Sequence, residues 1–145
     1  MFKQLDYFMY SQNLYDRLLE KYKQHGFLAI AYDVDDTIFN THDRPGASYE
    51  LIKTLIRRAR PYSRLSVWTS APADRHDAIK QYLAAENLPY DAFNESVFGY
   101  HDDSRKIYYH ILLDDKSCGL ALAHELLTRL FDSLAQAAGP LASLA

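Results

Sequence analysis

Leu14, Leu18, Leu19 and Tyr22 recur at helical spacing between Ser11 and Gly26, which predicts an amphipathic helix with Gly26 as its natural stop. The next pattern is the opposite one. From Phe27 to Tyr32 no polar residue interrupts the run, so a fully buried strand is expected, ending at Asp33. Asn40 to Ser48 reads as loop, with Ser48 placed to cap a helix that carries Leu51, Ile52, Leu55 and Ile56 on one face. Pro61 ends that helix, and Arg64 to Thr69 forms a second apolar strand. Pro72 opens another helix, running to about Glu86 with Ile79, Tyr82 and Leu83 turned inward. The stretch from Leu88 to Asp103 is less regular, with a short strand expected near Tyr90 to Phe93. A further strand covers Tyr109 to Leu113, and a long helix runs from about Leu120 to Ala137. Residues 138–145 read as a loose tail, and residues 1–26 as a helical extension of one domain spanning 1–145.

Strands and helices alternate, and the strands are too apolar for one-sided exposure. The expected fold is therefore a three-layer, Rossmann-like α/β domain, with a mainly parallel sheet covered by helices on both faces. Folds of that kind bind ligands beyond the carboxyl ends of the strands.

Composition narrows the function classes. The chain has 145 residues, 48% of them hydrophobic, and a formal net charge of -3, with basic residues scattered rather than grouped. No cationic face for non-specific nucleic-acid binding is expected, although a single phosphorylated end held in one pocket fits the charge pattern. Cys118 is the only cysteine, so neither a disulfide framework nor a cysteine-built zinc site is available, and a small buried side chain is expected there. No segment has the apolar length of a membrane span, and the start lacks a secretory pattern, which makes a cytoplasmic protein the expectation.

The chemistry gathers where the strands end. Asp33, Thr69 and Asp114 each close a predicted strand, so a parallel sheet brings them to one edge. Asp35 lies two residues after Asp33 and shares its side if the chain stays extended, and Asp115 follows Asp114. Four carboxylates at such range either rise in pKa or recruit a hard cation, and an oxygen-only set selects magnesium over zinc.

These residues carry a resemblance. Asp33-Val-Asp35-Asp-Thr37 after one strand, Thr69 ending a second, Lys106, and Leu112-Leu-Asp114-Asp115 after a third resemble the four ordered motifs of the haloacid dehalogenase-like (HAD) superfamily. The likeness runs from about Phe27 to Gly119 and is nearest to small phosphohydrolase-type members without a cap domain. It implies a magnesium-dependent phosphomonoesterase working through an aspartyl-phosphate. Asp33 would be the nucleophile and Asp35 the general acid and base, a role that needs Asp35 protonated while Asp33 is ionised. Magnesium would be held by Asp33, the backbone carbonyl of Asp35, and Asp114, with Asp115 in the outer shell. Thr69 would donate to the phosphoryl oxygens and Lys106 would neutralise them. Dehalogenating members lack the second aspartate of the first motif, so Asp35 favours phosphoryl chemistry.

Lys106 raises a geometric difficulty. Eight residues of continuous strand before Asp114 would span about 26 Å and leave it at the wrong edge. It reaches the site only if the strand starts near His110, with Arg105 and Lys116 as substitutes.

Competing readings differ in motif order. A phosphoaspartate receiver module has its acidic pair first, a lone aspartate on a later strand and lysine last, whereas here Lys106 precedes the second acidic pair. A catalytically inert HAD-like binding protein would normally have lost the nucleophile, and Asp33 is present. The histidines at 25, 42, 76, 101, 110 and 124 lack metal-ligand spacing and read as structural or exposed. Tyr7, Tyr10, Tyr15 and Tyr22 read as core or homo-oligomer contacts. Short intervals after the first two motifs leave no room for a cap, so an open cleft is expected. A nucleotide, a sugar phosphate, a polynucleotide end and a phosphoprotein all remain open as the phosphorylated substrate.

Overall fold

The computed structural model describes residues 6–98 and 105–139. Helix α1 (Ser11–His25) ends where Gly26 turns left-handed, with φ of 78°, and returns its N–H to the Tyr22 carbonyl. Strand β1 (Leu28–Tyr32) follows and is buried at every position. Because successive strand residues face opposite ways, that pattern means both sides of the sheet are covered. Next come α2 (Glu50–Ala59), β2 (Ser63–Val67), α3 (His76–Ala85), β3 (Ala92–Phe93), β4 (Ile111–Leu113) and α4 (Leu120–Ala138). The four strands are parallel in the order β3-β2-β1-β4. The fold is thus the Rossmann-like three-layer α/β arrangement that the alternating pattern predicts.

Register decides which residues reach the carboxyl edge of the sheet. Tyr32 at the end of β1 pairs with Val67 on one side and Leu113 on the other. Hydrogen bonding then runs one step further, from Asp33 N–H to Leu113 O at 2.9 Å and from Trp68 N–H to Tyr32 O at 2.8 Å. Asp33, Trp68 and Asp114 therefore leave the sheet side by side. Behind them, Leu28, Ile30, Tyr32, Leu65, Val67 and Leu113 belong to one apolar cluster that also takes in α1, α2 and α4. Burying that cluster is what holds the edge in place, since each large aliphatic side chain removed from water contributes about 1.5–3 kcal/mol.

At the other end of β4, His110 is buried and exchanges two hydrogen bonds with Ala29. Its N–H donates to the Ala29 carbonyl at 2.8 Å, and its ring Nδ1 accepts from Ala29 N–H at 2.9 Å. Burial, with the positive charges of His25, Lys21 and Arg17 nearby, lowers the imidazole pKa to about 4.

Several sequence expectations are corrected. Ser48 does not cap α2: Tyr49 holds the cap position in a left-handed conformation, φ 56°, without a side-chain cap bond, and its hydroxyl donates to Asp36 at 3.1 Å. Cys118 is exposed rather than buried, because the turn joining β4 to α4 runs over the surface and sets the residue left-handed at φ 58°. Among the N-terminal tyrosines only Tyr15 is buried, while Tyr7 and Tyr10 are exposed. Ala138 is the last residue of α4, and the remainder of the expected tail, 140–145, lies outside the described residues, as does His101. No helix among the described residues is long and apolar enough to cross a membrane.

Candidate active site

Beyond Asp33 the chain does not stay extended. Val34 is buried, its carbonyl accepts from the N–H groups of Thr37, Ile38 and Phe39, and Asp36 turns left-handed at φ 57°. This tight turn brings Thr37 back beneath Asp33. The Thr37 hydroxyl is fully buried and accepts from Asp115 N–H at 3.0 Å. Its single hydrogen faces two acceptors, Asp33 Oδ2 at 3.2 Å and Asp115 Oδ1 at 3.4 Å. One threonine thereby ties the end of β1 to the end of β4.

The consequence is a carboxylate cluster. Asp33, Asp114 and Asp115 each offer an oxygen, and these oxygens lie within 4.8 Å of one another. Burial pushes Asp33 up to about 7; Asp114 adds to the rise, while hydrogen bonds from the Val34 N–H and the Thr37 hydroxyl oppose it. The donors are all oxygen, with no imidazole or thiolate, which suits a hard cation such as magnesium.

Asp35 does not join the cluster, contrary to the extended-chain expectation. Its carboxylate is gripped by Arg75, whose Nη2 donates to Oδ1 at 2.9 Å and Nη1 to Oδ2 at 3.2 Å, and by the Thr41 hydroxyl at 2.7 Å. The Arg75 guanidinium holds Asp35 below the usual carboxylate range, with Thr41 adding to that. Without a cation among the carboxylates Asp33 is raised and Asp35 lowered, whereas the resemblance implies Asp35 protonated and Asp33 ionised.

Asp33, Asp35, Asp114, Asp115 and Thr69 line one cleft of about 370 Å³. Thr69 is nearly buried; its N–H donates to Asn94 Oδ1 at 2.8 Å and its Oγ1 accepts from Ala71 N–H at 3.1 Å. That arrangement leaves the hydroxyl hydrogen for the cleft. Lys106 is exposed and is not part of the lining, although β4 starts late enough to meet the condition set by strand length. Lys116, carried by the turn after Asp114, lines the cleft instead.

Arg75, Thr41 and Asn94 were given no role from sequence, nor was Thr37 beyond its place in the motif. Only Thr37 carried a local signal, four residues after Asp33 and immediately before the next apolar pair.

No family model matches the chain, and no curated protein matches it. Among solved structures, a conserved protein from Bacteroides thetaiotaomicron has a similar fold, with a TM-score of 0.58 and 21% identity over 71% of this chain and 91% of that one. Likeness at that identity speaks for the fold alone.

Proposed function

We propose that the chain is a magnesium-dependent phosphohydrolase of the HAD-like type, cleaving phosphomonoesters through an aspartyl-phosphate on Asp33. The observation that carries this reading is the convergence of Asp33, Asp114 and Asp115 within 4.8 Å at the carboxyl edge of a parallel sheet, in the cleft that Thr69 also lines. Three carboxylates so close either share a proton or recruit a cation, and Asp33, Asp114 and Asp115 are the residues that would hold it. When bound, magnesium supplies charge neutralisation that lets an anionic phosphate approach an anionic nucleophile. Thr37 fixes the Asp33 carboxylate through Oδ2. An Asp33 oxygen attacks phosphorus, and the hydroxyl of Thr69 donates to a phosphoryl oxygen as charge builds there. Lys116 takes the neutralising role that the resemblance gives to Lys106. Asp35 is held ionised by Arg75, so to act as the acid it leaves the guanidinium and takes a proton from solvent, gives that proton to the leaving oxygen, and then receives the proton of the attacking water.

The test is hydrolysis of p-nitrophenyl phosphate in magnesium, in chelator, and by Asp33→Asn. Activity should require the metal and fall at least about a thousandfold in the variant, since nothing else in the cleft replaces the nucleophile. Turnover by Asp33→Asn within about tenfold of the parent chain, or full turnover in chelator, would overturn the proposal.

A further inference from the structure

The cleft extends beyond its carboxylates, and the rest of its wall includes Trp68, His42, Ser70 and Lys116. Trp68 is the chain's single tryptophan. Its own N–H is tied to Tyr32 O at 2.8 Å and the next N–H to Asn94 Oδ1 at 2.8 Å, so the sheet fixes the backbone on both sides of it. Several other described rings have ring partners: Tyr62 stacks on Phe131, Phe39 meets Tyr82 and His76 meets Phe93. Trp68 is half-buried, yet among the described residues it has no ring partner and no acceptor for its indole N–H. The indole N–H is not buried, so in the free cleft it meets solvent and stands open to an acceptor on a ligand. An unpartnered indole carried on fixed backbone directly before Thr69 is placed to meet something that enters with the phosphate. Lys116 likewise makes no ion pair among the described residues.

Resting on the phosphohydrolase reading and deepening it, we infer that the substrate is a nucleoside monophosphate whose base stacks on Trp68. A base offers a planar face for the indole ring and ring or carbonyl acceptors for its N–H. A bare sugar phosphate offers no such face. In the reaction, an Asp33 oxygen bonds to phosphorus as the bond from phosphorus to the nucleoside oxygen breaks. Asp35, freed from Arg75 and protonated from solvent, gives that proton to the leaving nucleoside oxygen; water then cleaves the aspartyl-phosphate, releasing inorganic phosphate and leaving its proton on Asp35.

Because Trp68 is the only tryptophan, its fluorescence reports on this wall of the cleft alone. The full chain in magnesium is titrated with adenosine and uridine 5′-monophosphates, ribose 5-phosphate and inorganic phosphate. Both nucleotides should quench the emission saturably and bind about tenfold or more tighter than ribose 5-phosphate, the weight of one base on an aromatic side chain. Trp68→Leu should raise KM for the nucleotides by a similar factor and leave KM for ribose 5-phosphate unchanged, while Trp68→Phe keeps most of the preference. Should Trp68→Leu fail to fold, the parent chain's quenching and Trp68→Phe decide. Equal binding of nucleotide and ribose 5-phosphate, or an equal loss of both in Trp68→Leu, overturns the inference. Hydrolysis of p-nitrophenyl phosphate without any ring preference defeats this inference and spares the hydrolase reading. Nucleotide quenching with no hydrolysis of any ester does the reverse, leaving a base-binding site.

Discussion

Asp33 and Asp35 stand two residues apart and live in opposite electrostatic worlds. Around Asp33 are two further carboxylates and one threonine hydroxyl, so its charge is crowded and its pKa is pushed up to about 7. Around Asp35 are a bidentate guanidinium and Thr41, and its charge is stabilised. The turn at Val34 to Phe39 makes the difference by aiming the two side chains at different partners. A shared motif therefore yields one carboxylate crowded by like charge, whose pKa rises, and one that already has a cation from its own chain.

That contrast can be broken most severely at Thr37. Thr37→Val keeps the shape but leaves Asp115 N–H without its acceptor and Asp33 Oδ2 without its donor, at a cost of about 1–3 kcal/mol, read as a lower denaturant midpoint. Thr37→Ser should recover most of that loss. An unchanged midpoint in the valine variant would mean that the two strand ends are held together without the threonine.

A second measurement sharpens the contrast through pH, in chelator. Asp33 titrates near 7 in the folded chain and near 3.8 unfolded, so it releases its proton more readily when unfolded. Stability should therefore fall as pH rises from about 4 to 7. The group is half-exposed, and with solvent screening the loss is about 1–2 kcal/mol. Asp33→Asn should flatten this slope. Asp35 has the opposite sign: its lowered pKa contributes stability at neutral pH that is lost as the medium becomes acidic, and Asp35→Asn should flatten that limb instead. A single common slope for both variants would erase the distinction.

The smallest effect is expected at Arg75. The pair with Asp35 is partly exposed, so Arg75→Gln should change stability by less than about 1 kcal/mol. Its signature lies elsewhere: the Asp35 carboxyl carbon, followed by NMR, should titrate at higher pH in the variant than in the parent chain.

Much of this layout was legible before any coordinates. Periodicity located the helices and strands because burial on both faces leaves long apolar runs, and Asp33, Asp114 and Asp115 converge because parallel strands end on one edge. The partners of Asp35 were not legible. Arg75 sits forty residues away, and nothing local distinguishes it from Arg57 or Arg60, which pair with Glu86 and Asp91. Asp36 and Tyr49 illustrate the same limit: a tether between them sets the entry of α2, where local capping chemistry pointed to Ser48. Lys116 was open to the sequence only as a substitute for Lys106, because the turn that carries it into the cleft wall is not encoded in spacing.

The pair of hydrogen bonds between His110 and Ala29 also restricts what the chain can accept at that position. Nδ1 is spent as an acceptor, so the ring's proton resides on Nε2, and folding selects one tautomer. An asparagine oxygen can occupy the place of Nδ1, whereas phenylalanine fills the volume and strands the Ala29 N–H. Only one of the two bonds runs through the side chain, so a replacement there has to bring an acceptor to the Ala29 N–H at the end of β4 away from the carboxylates.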